Sequence, residues 1–311
     1  MKEMKRKIPR KKQESRKYDF YCAIMIPMSK TILVAGKNMP EASSFTDGIS
    51  HSGRNIIVSG NITDSEETRK LTIAERKANQ AAYEEEKAQE AKTGMCTIEW
   101  NRSSPLSARS LVLQTTTIFG GMDEAVLYFD EEQYAAKAEK MDSEEIVRGC
   151  DEMIAGYQYL TLEILNSFQK RDTSEGKGRL VFLMKKTPDR IDVLKNPSVK
   201  NGLSPIASPL VAAGAAAFAS FAENIAAVCS DSIFVDVLLI RGETSMEGFR
   251  RDDETGRLVC TCLDSLSSSS DSTRREVRWI SKEQKKIEIP AELSTPAPAT
   301  KKRFGIFRKQ K

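Results

Sequence analysis

Gly120-Gly121-Met122-Asp123-Glu124-Ala125-Val126-Leu127-Tyr128-Phe129 is the stretch that decides the fold. Paired glycines stop a helix, because glycine accepts the left-handed conformation in which helices end. The run Ala125–Phe129 then stays apolar without alternation, as a strand buried on both faces does. Just upstream, Ser104-Pro105 offers a capping hydroxyl and a first-turn proline for a helix reaching Phe119. Leu106, Leu111, Val112, Thr115 and Ile118 are expected on its buried side.

The same alternation extends in both directions. Lys30–Gly36 and Asn55–Gly60 read as earlier buried strands, with a helix starting near Pro40 between them, and Cys96–Trp100 as a third. Asp64 and Ser65 cap a long charged helix over Glu66–Lys92, whose weak apolar stripe is mostly alanine. Downstream, a helix is expected from near Ser143 to Arg171, with Ile146, Met153, Ile154, Tyr157, Leu160, Leu162, Ile164 and Leu165 as its apolar positions. A fifth strand at Gly178–Met184, an alanine-rich helix at Leu210–Val228 and a sixth strand at Ile233–Ile240 follow. Strands alternating with helices predict an α/β fold with a doubly wound parallel sheet, three layers deep and Rossmann-type. Beyond Gly242 the pattern loosens: residues 243–276 read as a lid-like excursion, and Glu276–Ile280 as a last strand.

With its helix-ending Gly-x-hydrophobe-Asp turn running into the fourth strand, the chain resembles the short-chain dehydrogenase/reductase family. The order and spacing from Lys30 to Gly242, about two-thirds of the chain, are similar to that family's. The resemblance implies a dinucleotide over a T-G-x-x-x-G-x-G turn after the first strand, where glycines allow close approach of the pyrophosphate. The matching residues are Ala35-Gly36-Lys37-Asn38-Met39-Pro40-Glu41-Ala42, so only Gly36 stays. Lys37 offers partial compensation for the charge of Glu41. An acid should follow the second strand to hold the ribose; Ser59-Gly60-Asn61 has none. Asn101 stands at the adenine-contacting Asp, and Tyr128-Phe129-Asp130-Glu131 replaces the N-N-A-G turn. The family's Tyr and Lys, four residues apart on one helix face, should lie near Leu210–Gly214, yet the last tyrosine of the chain is Tyr159. Tyr83 and Lys87 have the spacing but sit on the wrong element. Thr187 is a stand-in for the carbonyl-orienting Ser.

The expectation is therefore a binding or scaffolding protein of this fold without dehydrogenase activity. The alternative is an NAD(P)-dependent oxidoreductase with a non-standard loop, using Tyr128, Tyr157 or Tyr159 as proton donor. No catalytic residue, metal or cofactor is expected. If NAD or NADP is held, Gly36, Lys37, Asn61 and Asn101 are the cofactor-binding candidates.

Charge is uneven along the chain. The net of +4 divides into +7 over residues 1–17, +6 over 301–311 and −9 for the remainder. Residues 1–17 read as a disordered basic arm, 18–285 as the domain, and 286–311 as linker and basic tail. The tail interleaves Lys301, Lys302, Arg303 and Arg308 with Phe304 and Phe307, which suits an acidic protein partner or an anionic membrane surface more than nucleic acid. The helices at 143–171 and 210–228 resemble those through which the family dimerises, so a homo-oligomer is expected. Six scattered cysteines, a single His51, the lack of an 18-residue apolar run and of a secretory signal fit a cytoplasmic protein with reduced thiols.

Overall fold

The computed structural model describes residues 29–39, 43–61, 93–135, 142–171, 176–201, 205–246, 248–268 and 277–281. The basic arm, the charged helix expected over 66–92 and the tail with its proposed contacts lie outside these residues.

A seven-stranded, wholly parallel sheet forms the middle layer. Its strands are β1 Thr31–Gly36, β2 Asn55–Asn61, β3 Met95–Trp100, β4 Glu124–Asp130, β5 Gly178–Lys186, β6 Val235–Glu243 and β7 Trp279–Ile280. They lie in the order β3-β2-β1-β4-β5-β6-β7. The order reverses between β1 and β4, which pair from Ile32 opposite Glu124 to Gly36 opposite Tyr128. In doubly wound sheets that reversal opens the binding crevice at the carboxyl ends of the strands. Every residue of β1 and of β4 is buried, as a strand covered on both faces requires.

Helices cover both faces. On one side lie α2 (Pro105–Phe119), the long helix formed by α4 (Ser143–Cys150), a π turn (Asp151–Ala155) and α5 (Gly156–Gln169), and α7 (Pro209–Val228). On the other, α1 (Ser43–Ser50) packs with α8 (Asp252–Ser268). The short α3 (Glu131–Ala135) and α6 (Arg190–Lys195) follow β4 and β5. Ser104 caps α2 by accepting from the Ser107 N–H at 3.3 Å, and Gly120 ends it at φ 77°. The α7 helix is long and apolar enough to cross a membrane, but Val211, Gly214, Ala215, Phe218, Ala222 and Ala226 are buried in the core.

Several expectations need correction. Leu106 is 77% exposed, because the buried stripe of α2 runs through Ala108, Leu111, Val112 and Thr115. Ile146 and Leu162 are exposed too, lying off the Tyr157–Leu160–Thr161–Ile164–Phe168 stripe. Ile233 is exposed, since the sixth strand begins only at Val235. The lid-like reading of 243–276 fails for its described part. There α8 buries Thr255, Val259, Cys260 and Leu263 and belongs to the core.

Candidate functional site at the carboxyl edge of the sheet

β1 ends at Gly36, whose N–H donates to Ser59 Oγ at 3.3 Å. A Cβ added there would lie 2.6 Å from Met39 Sδ and 3.0 Å from the Tyr128 carbonyl, so the turn has room for glycine only. Asn38 takes the left-handed conformation at φ 51°, and its side-chain amide donates to Gln133 Oε1 of α3 at 3.1 Å. Lys37 pairs with Glu152 of the π turn and stands 5.6 Å above the Tyr134 ring. The turn after β1 is thus tied to α3 and to the long helix, across the point where the strand order reverses.

A second network closes the ends of β4 and β5. Lys185, only 6% exposed at its side chain, lies 3.4 Å from Asp130, 3.5 Å from Glu132 and 3.1 Å from Asp252 of α8. Asp130 accepts from the Glu132 N–H at 3.0 Å and from the Tyr128 hydroxyl at 3.2 Å. Burial pushes the Asp130 carboxyl up to about 6, although the Lys185 ammonium pulls it the other way. Burial works against the charge of Lys185, but Asp130, Asp252 and Glu132 together raise its pKa. Glu131 is buried and accepts from the N–H and hydroxyl of Thr187 at 2.8 and 3.3 Å.

Beneath these networks, Arg102 stacks 4.4 Å from the Trp100 ring and 5.3 Å from Tyr157. It donates to the Tyr134 hydroxyl at 3.0 Å and the Glu152 carbonyl at 3.4 Å. The Tyr157 hydroxyl donates to the Tyr128 carbonyl at 2.6 Å. Burial raises the phenols of Tyr128 and Tyr134 well above the usual tyrosine range; for Tyr134 the Arg102 charge opposes the rise.

Of the candidate residues, Gly36 and Lys37 lie together at the reversal point. Asn61 ends β2 opposite Trp100, and its side chain lies outside the described residues. Asn101 follows β3, where its side-chain oxygen accepts from the Ser103 N–H and hydroxyl at 3.1 and 2.7 Å. That closes a local turn on an exposed surface. Thr187 is held by Glu131, and Tyr128 and Tyr157 are committed to internal partners. Sequence reasoning missed Lys185, Glu152, Tyr134 and Arg102. Only Lys185 carried a signal, a lysine directly following the apolar run Leu180–Met184.

No family model matches the sequence, and no curated protein does either. Among solved structures, a short chain dehydrogenase/reductase family oxidoreductase from Aeromonas hydrophila aligns with a TM-score of 0.50. The two are 12% identical over 80% of this chain and 96% of that one. A short chain dehydrogenase from Mycobacterium smegmatis gives 0.49 at 16% identity, over 78% and 88%. A 3-ketoacyl-(acyl-carrier-protein) reductase from Brucella melitensis, complexed with NADH, gives 0.49 at 13%, over 78% and 94%. Strand order, parallel pairing and structural likeness agree: the chain has the fold of the short-chain dehydrogenase/reductase structures.

Proposed function

We propose that this chain is a binding protein built on the short-chain dehydrogenase/reductase fold and transfers no hydride. The observation that carries this reading is Lys185, locked among Asp130, Glu132 and Asp252 at the ends of β4 and β5. Its ammonium is committed to three carboxylates and is not presented to the crevice where this fold places an anionic dinucleotide. Met39 folds over Gly36, and the Lys37–Glu152 and Asn38–Gln133 contacts bridge the phosphate turn. The described residues therefore do not fit NAD or NADP in the pose the family resemblance implies, and we route no chemical step through either. No tyrosine follows Tyr159, so the alanine-rich helix has no phenol to move a proton. In this reading partners come to outer surfaces: a second copy of the chain, or an acidic protein or anionic membrane at the basic tail.

Titration with NADH and with NADPH, followed by nucleotide fluorescence, tests the reading. No saturable binding up to millimolar nucleotide is expected. Micromolar binding would overturn it in favour of an oxidoreductase with an altered loop.

A further inference from the structure

We propose that the outer face of α5 and α7 is the seat of the chain's own basic tail, residues 301–311. The proposal rests on the binding reading above and deepens it, because any outside partner then competes with the domain for the tail. In a chain with 30% charged residues, Gly156–Gln169 and Pro209–Val228 carry Glu163 and Glu223 as their only charged side chains. Depletion of charge is the compositional mark of an interface centre. Large apolar groups stand there in water: Leu162 is 55% and Val228 82% exposed. Phe221, Ile225 and Val228 recur at helical spacing along one flank of α7, and Leu165 of α5 is half-buried like Phe221 and Ile225.

The tail has the matching chemistry. Phe304, Ile306 and Phe307 supply apolar groups, and six Lys and Arg flank them, against two acids and no base on the helices. A second copy of the chain would instead bring Glu163 and Glu223 against the same acids, with no base on either helix to meet them. The tail is also within reach. Trp279 of β7 donates from Nε1 to Glu223 Oε1 at 2.6 Å, so the chain arrives at Ser281, the last described residue, beside α7. The 23 residues from Ser281 to Phe304 span up to about 75 Å, more than twice the roughly 30 Å length of α7.

The test uses full-length protein with ¹³C-labelled Leu, Val and Ile methyls. Replacing the tail aromatics, Phe304→Ser with Phe307→Ser, should shift the methyls of Leu162, Ile225 and Val228. Those of Val259 and Leu263 in α8 should stay in place, which reports an intact fold. A synthetic peptide of residues 299–311, added to the variant, should restore the original shifts saturably. With an effective concentration on the order of 1 mM for the tethered tail and a Kd of about 0.1 mM, the unaltered protein should take this peptide about tenfold more weakly than the variant does. Identical Leu162, Ile225 and Val228 methyls in the two proteins would overturn the proposal. So would methyl shifts that follow protein concentration in the unaltered chain, with a dimer in sedimentation, since a second copy would then hold the face. Failure of the broader binding reading appears elsewhere, as nucleotide fluorescence that saturates at micromolar NADH or NADPH.

Discussion

Replacing Asp130 by Asn should make the protein progressively more stable, relative to the unaltered chain, as pH rises. Asp130 is 3% exposed, and its carboxyl titrates at about 6 against an ordinary 3.8. Because the folded value lies above the unfolded one, the folded protein binds this proton more tightly. Its contribution is greatest in acid and is lost as pH rises through about 6. At about 1.4 kcal/mol per tenfold change in proton affinity, the full rise costs the ionised fold about 3 kcal/mol. About 2 kcal/mol of that falls between pH 4 and pH 8, because the unfolded side chain is itself part-protonated at pH 4. An Asn side chain can keep the Glu132 N–H on its amide oxygen, while its NH2, standing where the other carboxylate oxygen was, donates to the Tyr128 hydroxyl instead of accepting from it; the side chain carries no titrating group. Urea unfolding of both proteins at unit pH steps reads the effect. With an m-value of about 3 kcal/mol/M, the midpoint of Asp130→Asn should gain about 0.7 M on the parent between pH 4 and pH 8. A difference independent of pH would refute the reasoning. So would a variant that loses ground as pH rises, since Asp130 would then be a stabilising carboxylate.

Two further predictions concern the frame. At the amino end of the sheet Glu124, 1% exposed at its side chain, holds Arg54 at 2.6 Å, Arg179 at 2.9 Å and Lys30 at 3.6 Å. Arg54 also reaches Asp264 at 2.6 Å. Glu124→Gln should cost about 3–5 kcal/mol in urea unfolding, while the paired change Arg54→Met with Glu124→Leu should recover part of it, since Arg179 still loses its carboxylate; a single-variant cost under about 1 kcal/mol would contradict the buried cluster. Gly256→Ala should destabilise by about 1–3 kcal/mol despite the better helix propensity of alanine, because a Cβ there lies 2.3 Å from the Phe45 carbonyl. Calorimetry should show a lower Tm, and a higher one would mean that α1 and α8 do not meet there.

The strands were legible because parallel strands covered on both faces must be continuously apolar, as Ala125–Phe129 is. The cap at Ser104 and the stop at Gly120 were legible because they are local. The α8 helix was not, because its buried apolar stripe is narrow, Val259, Cys260 and Leu263, and its contact with α1 is made by backbone proximity at Gly48 and Gly256. Its sequence therefore reads as polar and irregular. The ion pairs were hidden for another reason. Lys37 meets Glu152 across 115 residues, and Arg54 meets Asp264 across 210, so neither pairing leaves a spacing to recognise. The losses at Pro40, Asn61 and the missing tyrosine pointed to altered chemistry. The contacts around the β1 turn and Lys185 became visible only when the sheet brought β1, β4 and β5 side by side.

The most direct test of the central claim watches the Met39 methyl, buried against Gly36 at the reversal point, while NADH or NADPH is added. No saturable shift of that ¹³C resonance is expected at nucleotide concentrations up to several millimolar. A shift saturating at micromolar nucleotide would place the cofactor on the β1 turn and contradict that claim.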